Sequence, residues 1–204
     1  MSTTATTREV VIRAATRLIC VHGYNNTSLD DILRESGVGK GNFYHYFKSK
    51  EALGFEIIDR IIQKFSEEVL DPAFLSSDLP PLERIERFLD QVVASQRQSG
   101  CIGGCPMGNL AMELSDVHEG FRQRLAQVFQ LWRKRIEETL SEAKSQGALS
   151  EKVNSECLSR FVVASLEGAI LLTKVKKEIG VMEQCAQELR SHLDHYRVSA
   201  GLPA

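Results

Sequence analysis

Seven side chains able to meet a polyanion fall within eleven positions: Lys40, Asn42, Tyr44, His45, Tyr46, Lys48 and Lys50. Lys40 suits a guanine edge or a phosphate, and Asn42 suits a base edge. Tyr44 and His45 can donate to phosphate oxygens, and Lys48 can pair with one. Gly39 and Gly41 have no side chains, so the backbone there can lie close to a duplex. Thr27 and Ser28 stand where a helix begins, and hydroxyls and free N–H groups at such an end suit a further phosphate. The candidate contacts are Thr27, Ser28, Lys40, Gly41, Asn42, Tyr44, His45 and Lys48. Phe43, Tyr46 and Phe47 are expected to face inward. The plainer reading makes Lys40, Asn42 and His45 solvated surface, Gly39 and Gly41 turn residues, and Lys50 a solvated lysine beside Glu51.

A second group carries sulfur. Residues 100–116 read Gly-Cys-Ile-Gly-Gly-Cys-Pro-Met-Gly-Asn-Leu-Ala-Met-Glu-Leu-Ser-Asp. Cys101 and Cys105 allow three readings. They are small buried hydrophobes, or thiols sensing oxidants or electrophiles beside a helix start that lowers a thiol pKa, or metal ligands. The last is the poorest match, because Cys-x3-Cys without a histidine pair is not zinc spacing. No metal or cofactor is expected. Met107 and Met112 suit an adaptable pocket lining. Asn109 and Glu113, four apart on one helix face, suit a polar ligand group or each other.

These residues need elements to hold them. No stretch alternates as a strand does, and the helical period dominates, so the expected class is all-α. Thr7 caps a first helix that stops at Gly23. A second runs over 28–36, a Gly37-Val38-Gly39 turn follows, and a third runs over about 39–47. Helix, glycine turn and short polar-aromatic helix outline a helix-turn-helix. A long fourth helix runs from the Ser49 cap to about residue 70, closed by Asp71-Pro72. Five more follow over 82–98, 106–114, 118–146, 155–177 and 181–198. Nine helices result: three short ones in front, a long connector, then five more. Residues 199–204 are expected to fray.

Composition narrows the classes. The chain has 204 residues, 43% hydrophobic and 25% charged, with net charge -2. Residues 1–50 hold seven Lys and Arg against four acids, a net +3 that leaves -5 for the rest. A basic head on an acidic body fits a local contact with nucleic acid. No signal-peptide core and no membrane-length apolar run is present. Five scattered cysteines (Cys20, Cys101, Cys105, Cys157 and Cys185) suit a reducing cytoplasm. No phosphate loop, paired-carboxylate motif or cysteine–histidine pairing is found, so an enzyme is not expected. A helical thiol enzyme and a non-DNA-binding interaction protein remain the rivals.

Residues 27–53 carry the string Thr-Ser…Ile…Ser-Gly-Val-x-Lys-Gly-x-Phe-Tyr-x-Tyr-Phe-x-Ser-Lys-Glu-x-Leu. It resembles the DNA-binding motif of the TetR family of transcriptional regulators. The departures are Gly39, where the family often has serine, and Leu33 and Ser36, where it often has alanine. The resemblance implies nine helices, with residues 1–50 as a DNA-binding head and 51–204 as a ligand-binding and dimerisation body, a homodimer on pseudo-palindromic operator DNA, and a small-molecule effector that releases a repressor. The run Gly-Cys-x-x-Gly-Asn-Leu-Ala-x-Glu-Leu at 104–114 is similar to one branch of the family, which responds to electrophiles or small apolar compounds. A dimer needs an apolar face beyond the core. Phe161, Ser165, Gly168, Ala169 and Leu172 on the eighth helix are its expected members. The plainer reading makes that helix central in its own fold.

Overall fold

The computed structural model describes residues 6–76 and 78–198. The first five residues and the expected fraying of 199–204 lie outside the described residues. Among the described residues there are ten α-helices and one π segment. One isolated antiparallel bridge, Leu149 with Arg197, is the sole extended pairing among them.

The chain forms two compact units. The first takes the described part of Met1–Gln63 together with Pro106–Ala126. Its opening helix, α1 (Thr7–His22), starts one residue earlier than the sequence suggests, because Thr6 rather than Thr7 is the N-cap and accepts from the Glu9 N–H. Val11, Ile12, Ala14, Ala15 and Ile19 bury its inner face, and Gly23 at φ 87° ends it. Helix α2 (Leu29–Ser36) is held at its start by a reciprocal capping box between Ser28 and Asp31. Gly37, left-handed at φ 66°, turns the chain into α3 (Lys40–Tyr46). Both α2 and α3 pack on α1.

Helix α4 (Lys50–Phe65) is capped by the Ser49 hydroxyl, which accepts from the Ala52 N–H at 3.0 Å. Leu53, Ile57 and Ile58 form its buried stripe. The first unit also holds α7 (Pro106–Leu114) and the opening of α8 (Glu119–Ser145), where Phe121 and Leu125 are buried.

The helix after α4 does not stop at Asp71-Pro72 as the sequence suggests. A π segment, Ser66–Leu70, leads without a break into α5 (Asp71–Phe74). Proline in a helix lacks an N–H and clashes with the carbonyl four residues back. Here the Asp71 N–H bonds to the Ser66 carbonyl, five residues back, so the turn is widened just before Pro72. Counted as one rod with α4, these pieces bring the number of rods to nine.

The second unit takes Lys64–Cys105 and the described part of Gln127–Ala204. Helix α6 (Pro81–Gln98) buries Ile85, Phe88, Leu89, Val92 and Val93. Trp132 of α8 meets the rings of Phe65, Phe88 and Phe129 at 5.4, 5.8 and 6.2 Å. Helix α9 (Ser155–Lys176), capped by the Asn154 side chain, packs on α10 (Ile179–Asp194). The last helix ends sooner than its pattern suggests. The chain after it pairs with the α8–α9 turn, through Ser150 N–H to Tyr196 O and Val198 N–H to Ala148 O.

Candidate nucleic-acid interface

Helix α3 has seven residues and two anchors. Phe43 is fully buried, and Phe47, which leaves the helix in extended backbone, is 3% exposed. Their rings lie 5.5 Å apart, with the Arg8 guanidinium 5.6 Å from the Phe47 ring centre. Every other position from Gly39 to Lys48 is exposed: Lys40, Gly41, Asn42, Tyr44, His45, Tyr46 and Lys48 included. Tyr46 is therefore a correction. It is 42% exposed, close to the 49% of Tyr44, and stacks edge-on against His45 at 4.8 Å. Its aromatic type suggested core, but Phe43 and Phe47 already fill the inner side.

The charges of the head are not equally committed. Arg8 pairs with Glu56, Arg17 with Glu35 and Arg34 with Asp31. Lys50 donates to the Tyr24 carbonyl at 2.6 Å and lies 4.1 Å above the Tyr24 ring. Lys40 and Lys48 form no ion pair among the described residues. Ser28 is exposed, and its hydroxyl and N–H both donate to Asp31, at 2.5 and 3.0 Å. Those two bonds, with Arg34 beside them, hold the Asp31 carboxyl below its ordinary range. Thr27 is a second correction. It is 1% exposed, and its hydroxyl donates to the Gly23 carbonyl at 2.7 Å, so it closes a turn instead of facing a partner.

Of the residues singled out around the cysteines, Cys101 and Cys105 belong to the second unit and Met107, Asn109, Met112 and Glu113 to the first. Cys101 is buried with left-handed backbone, φ 60°, a conformation costly for a residue with a Cβ. Its N–H donates to the Gln96 carbonyl at 3.0 Å, and its carbonyl accepts from Lys177 Nζ at 3.3 Å. Cys105 is buried and its thiol hydrogen-bonds Glu167, whose carboxyl is pushed up by burial and partly brought back by that bond. Gly104, at φ 70°, lies so near the Lys174 stem that an added Cβ would fall 3.0 Å from Cδ.

Met107 is buried and Asn109 half-buried, whereas Met112 is 77% exposed, so it lines no pocket. Glu113 has backbone partners far away in the sequence. Its two oxygens accept the backbone N–H groups of Tyr24 and Asn25, at 2.9 and 2.5 Å. No local pattern announces that contact, since the partners are about ninety residues apart.

On α9 the expected dimer residues divide. Phe161, Gly168 and Leu172 are exposed and Ser165 is half-exposed, in line with exposed Ala164, Leu171 and Val175. Ala169 is 2% exposed and packs within its own unit, one step round the helix from that stripe. Phe161 also meets His192 of α10, ring to ring at 4.9 Å. Among the described residues no helix is long and apolar enough to cross a membrane.

Comparison with known proteins agrees with this geometry. A family described as "Bacterial regulatory proteins, tetR family" matches residues 11–57, and "Tetracyclin repressor-like, C-terminal domain" matches 81–192. An HTH-type transcriptional regulator from the lacX 3' region of Lactococcus lactis subsp. lactis is 36% identical, over 87% of this chain and 88% of its own. The transcriptional regulator AcuR of Cereibacter sphaeroides is 33% identical, over 81% and 75%. The crystal structure of a regulatory protein TetR from Rhodobacter sphaeroides superposes with a TM-score of 0.84 at 29% identity, over 95% of this chain and all of that one. With exposed polar residues on a short third helix, a capped helix and glycine turn before it, and matches over both parts of the sequence, the chain belongs to the TetR family of DNA-binding transcription regulators.

Proposed function

We propose that this protein is a homodimeric repressor that lies with the exposed side of α3 in the major groove of a pseudo-palindromic operator. The observation that carries this reading is the division of α3. Two buried phenylalanines fix it, and its remaining groups face outward, with Lys40 and Lys48 in no ion pair among the described residues. Lys40 and Asn42 reach base edges, while Tyr44, His45, Tyr46, Lys48 and exposed Ser28 hold phosphates. Gly41 brings the backbone close. The protein acts in the cytoplasm. The exposed α9 stripe supplies the two-fold contact, through Phe161, Ser165, Gly168 and Leu172.

An effector held in the second unit releases the operator by preferring the non-binding state. A tenfold preference is worth about 1.4 kcal/mol. What supports a ligand there is a set of buried polar atoms with no hydrogen-bond partner among the described residues: Trp132 Nε1, Gln96 Oε1 and Thr173 Oγ1. Such atoms are uncommon in native cores and call for a partner. A thiol trigger at Cys101 and Cys105 is the second reading, favoured by the strained backbone at Cys101 and the Cys105–Glu167 bond.

The test is selection of a duplex from a random-sequence pool, followed by binding of Tyr44→Ala and Lys48→Ala. Each variant is expected to weaken specific binding about tenfold or more. Wild-type affinity in both would overturn the docking. Modification of Cys101 and Cys105 by iodoacetamide with no change in affinity would overturn the thiol reading.

A further inference from the structure

The turn at 23–27 joins α1 to α2, and so sets where α2 and the glycine turn carry α3. It is gripped from several sides within the first unit. Glu113, the sole charged residue of α7, places one carboxylate oxygen on the Tyr24 N–H and the other on the Asn25 N–H. Gly23 leaves room for it, because a Cβ there would fall 2.9 Å from Glu113 Oε2 and the backbone is left-handed at φ 87°. The Tyr24 carbonyl accepts from Lys50 Nζ at 2.6 Å and from the Thr27 N–H at 3.3 Å. The Tyr24 ring sits edge-on to Phe121 at 5.1 Å, over Gly54, where a Cβ would meet its Cε2 at 2.7 Å.

Two parallel backbone donors on one ionised carboxylate make a stronger and more directional bond than neutral pairs. An apolar helix that spends its single charge on a turn of the DNA-facing unit has a purpose beyond packing. We propose that Glu113 is a positioning residue for DNA recognition. It clamps the 23–27 turn to α7, so that α7 and the α2–α3 pair share one arrangement. The proposal rests on the DNA-binding reading given above.

The experiment uses the protein of 204 residues and a duplex selected from a random pool with the wild-type protein. Affinity, salt dependence and backbone hydrogen exchange over 23–27 and 106–114 are measured for wild type, Glu113→Gln and Glu113→Ala, with and without duplex. By reciprocity, duplex binding should slow exchange in α7 of the wild type. In Glu113→Ala that slowing should vanish and affinity should fall about tenfold. The salt slope should stay the same, because no phosphate contact is lost. Glu113→Gln keeps one acceptor and opposes an amide N–H to the other donor, so about a threefold loss is expected. Should Glu113→Ala not fold, Glu113→Gln carries the comparison. Wild-type affinity in a folded variant, or α7 protection that persists without the carboxylate, would overturn the clamp and leave DNA binding standing. Failure to select any duplex would take down both.

Discussion

Lys48 and Lys50 are two residues apart and have different work. Among the described residues Lys48 has no ion-pair partner to give up on meeting a phosphate. Lys50 is half-buried on Tyr24, and burial pulls its pKa down, with Glu113 acting in the opposite sense. The same site pushes Tyr24 up to about 12, chiefly through burial and secondarily through Glu51. The sign follows from proton counts. Between the ordinary value of 10.0 and about 12, an unfolded tyrosine gives up its proton while the folded one keeps it. Stability contributed by neutral Tyr24 is therefore present below pH 10 and lost as the pH rises toward 12. Lys50 contributes oppositely just below its ordinary value, where an unfolded lysine still binds the proton that the folded one has released. Tyr24→Phe is expected to remove the tyrosine loss. Urea midpoints measured from pH 9.5 to 11.5 should fall less steeply in that variant than in the wild type.

At the level of elements, one-sided helices were legible in the sequence, and geometry set by distant neighbours was not. Ile85, Phe88, Leu89, Val92 and Val93 of α6 are all buried, since their three- and four-residue spacing lies on one face. The π segment was hidden, because Asp71-Pro72 carries the same signal whether the chain stops or widens a turn to continue. Tyr46 was misplaced for a different reason. Four aromatics in five positions do not say which two the core has room for, and Phe47 reaches the core only after leaving the helix. In the site, the exposed identity of α3 was readable from residue type, whereas the uses of Thr27 and Glu113 depended on a turn built from remote parts. Packing of α8 gives a test at this scale. Trp132 is 1% exposed among three aromatic rings, yet its Nε1–H has no acceptor among the described residues. Trp132→Phe keeps most ring contacts and removes that unpaired donor, so the expected loss is under about 1.5 kcal/mol, against about 3–5 for Trp132→Ala. Urea denaturation of the two variants should separate them clearly.

For the whole molecule, the exposed stripe on α9 is the feature that asks for a second copy. Phe161, Leu171, Leu172 and Val175 are 47%, 45%, 51% and 71% exposed, and Ala164 and Gly168 between them are small enough for a close helix approach. Leu172→Glu is expected to give a folded monomer by sedimentation. It should also lower operator affinity by about two orders of magnitude or more, since paired half-sites are then no longer joined.

The interrupted make-up of the first unit has a consequence for how the protein is born. Its early helices emerge from the ribosome long before Glu113 and Phe121, which complete the grip on the 23–27 turn. At about 5–20 residues per second, the gap is on the order of several seconds. During that interval the nascent head carries an unfilled socket around Tyr24 and Gly54. A fragment ending near Gln63 would keep that deficit permanently, so the piece that faces DNA is not one that can be cut out and expected to stand alone.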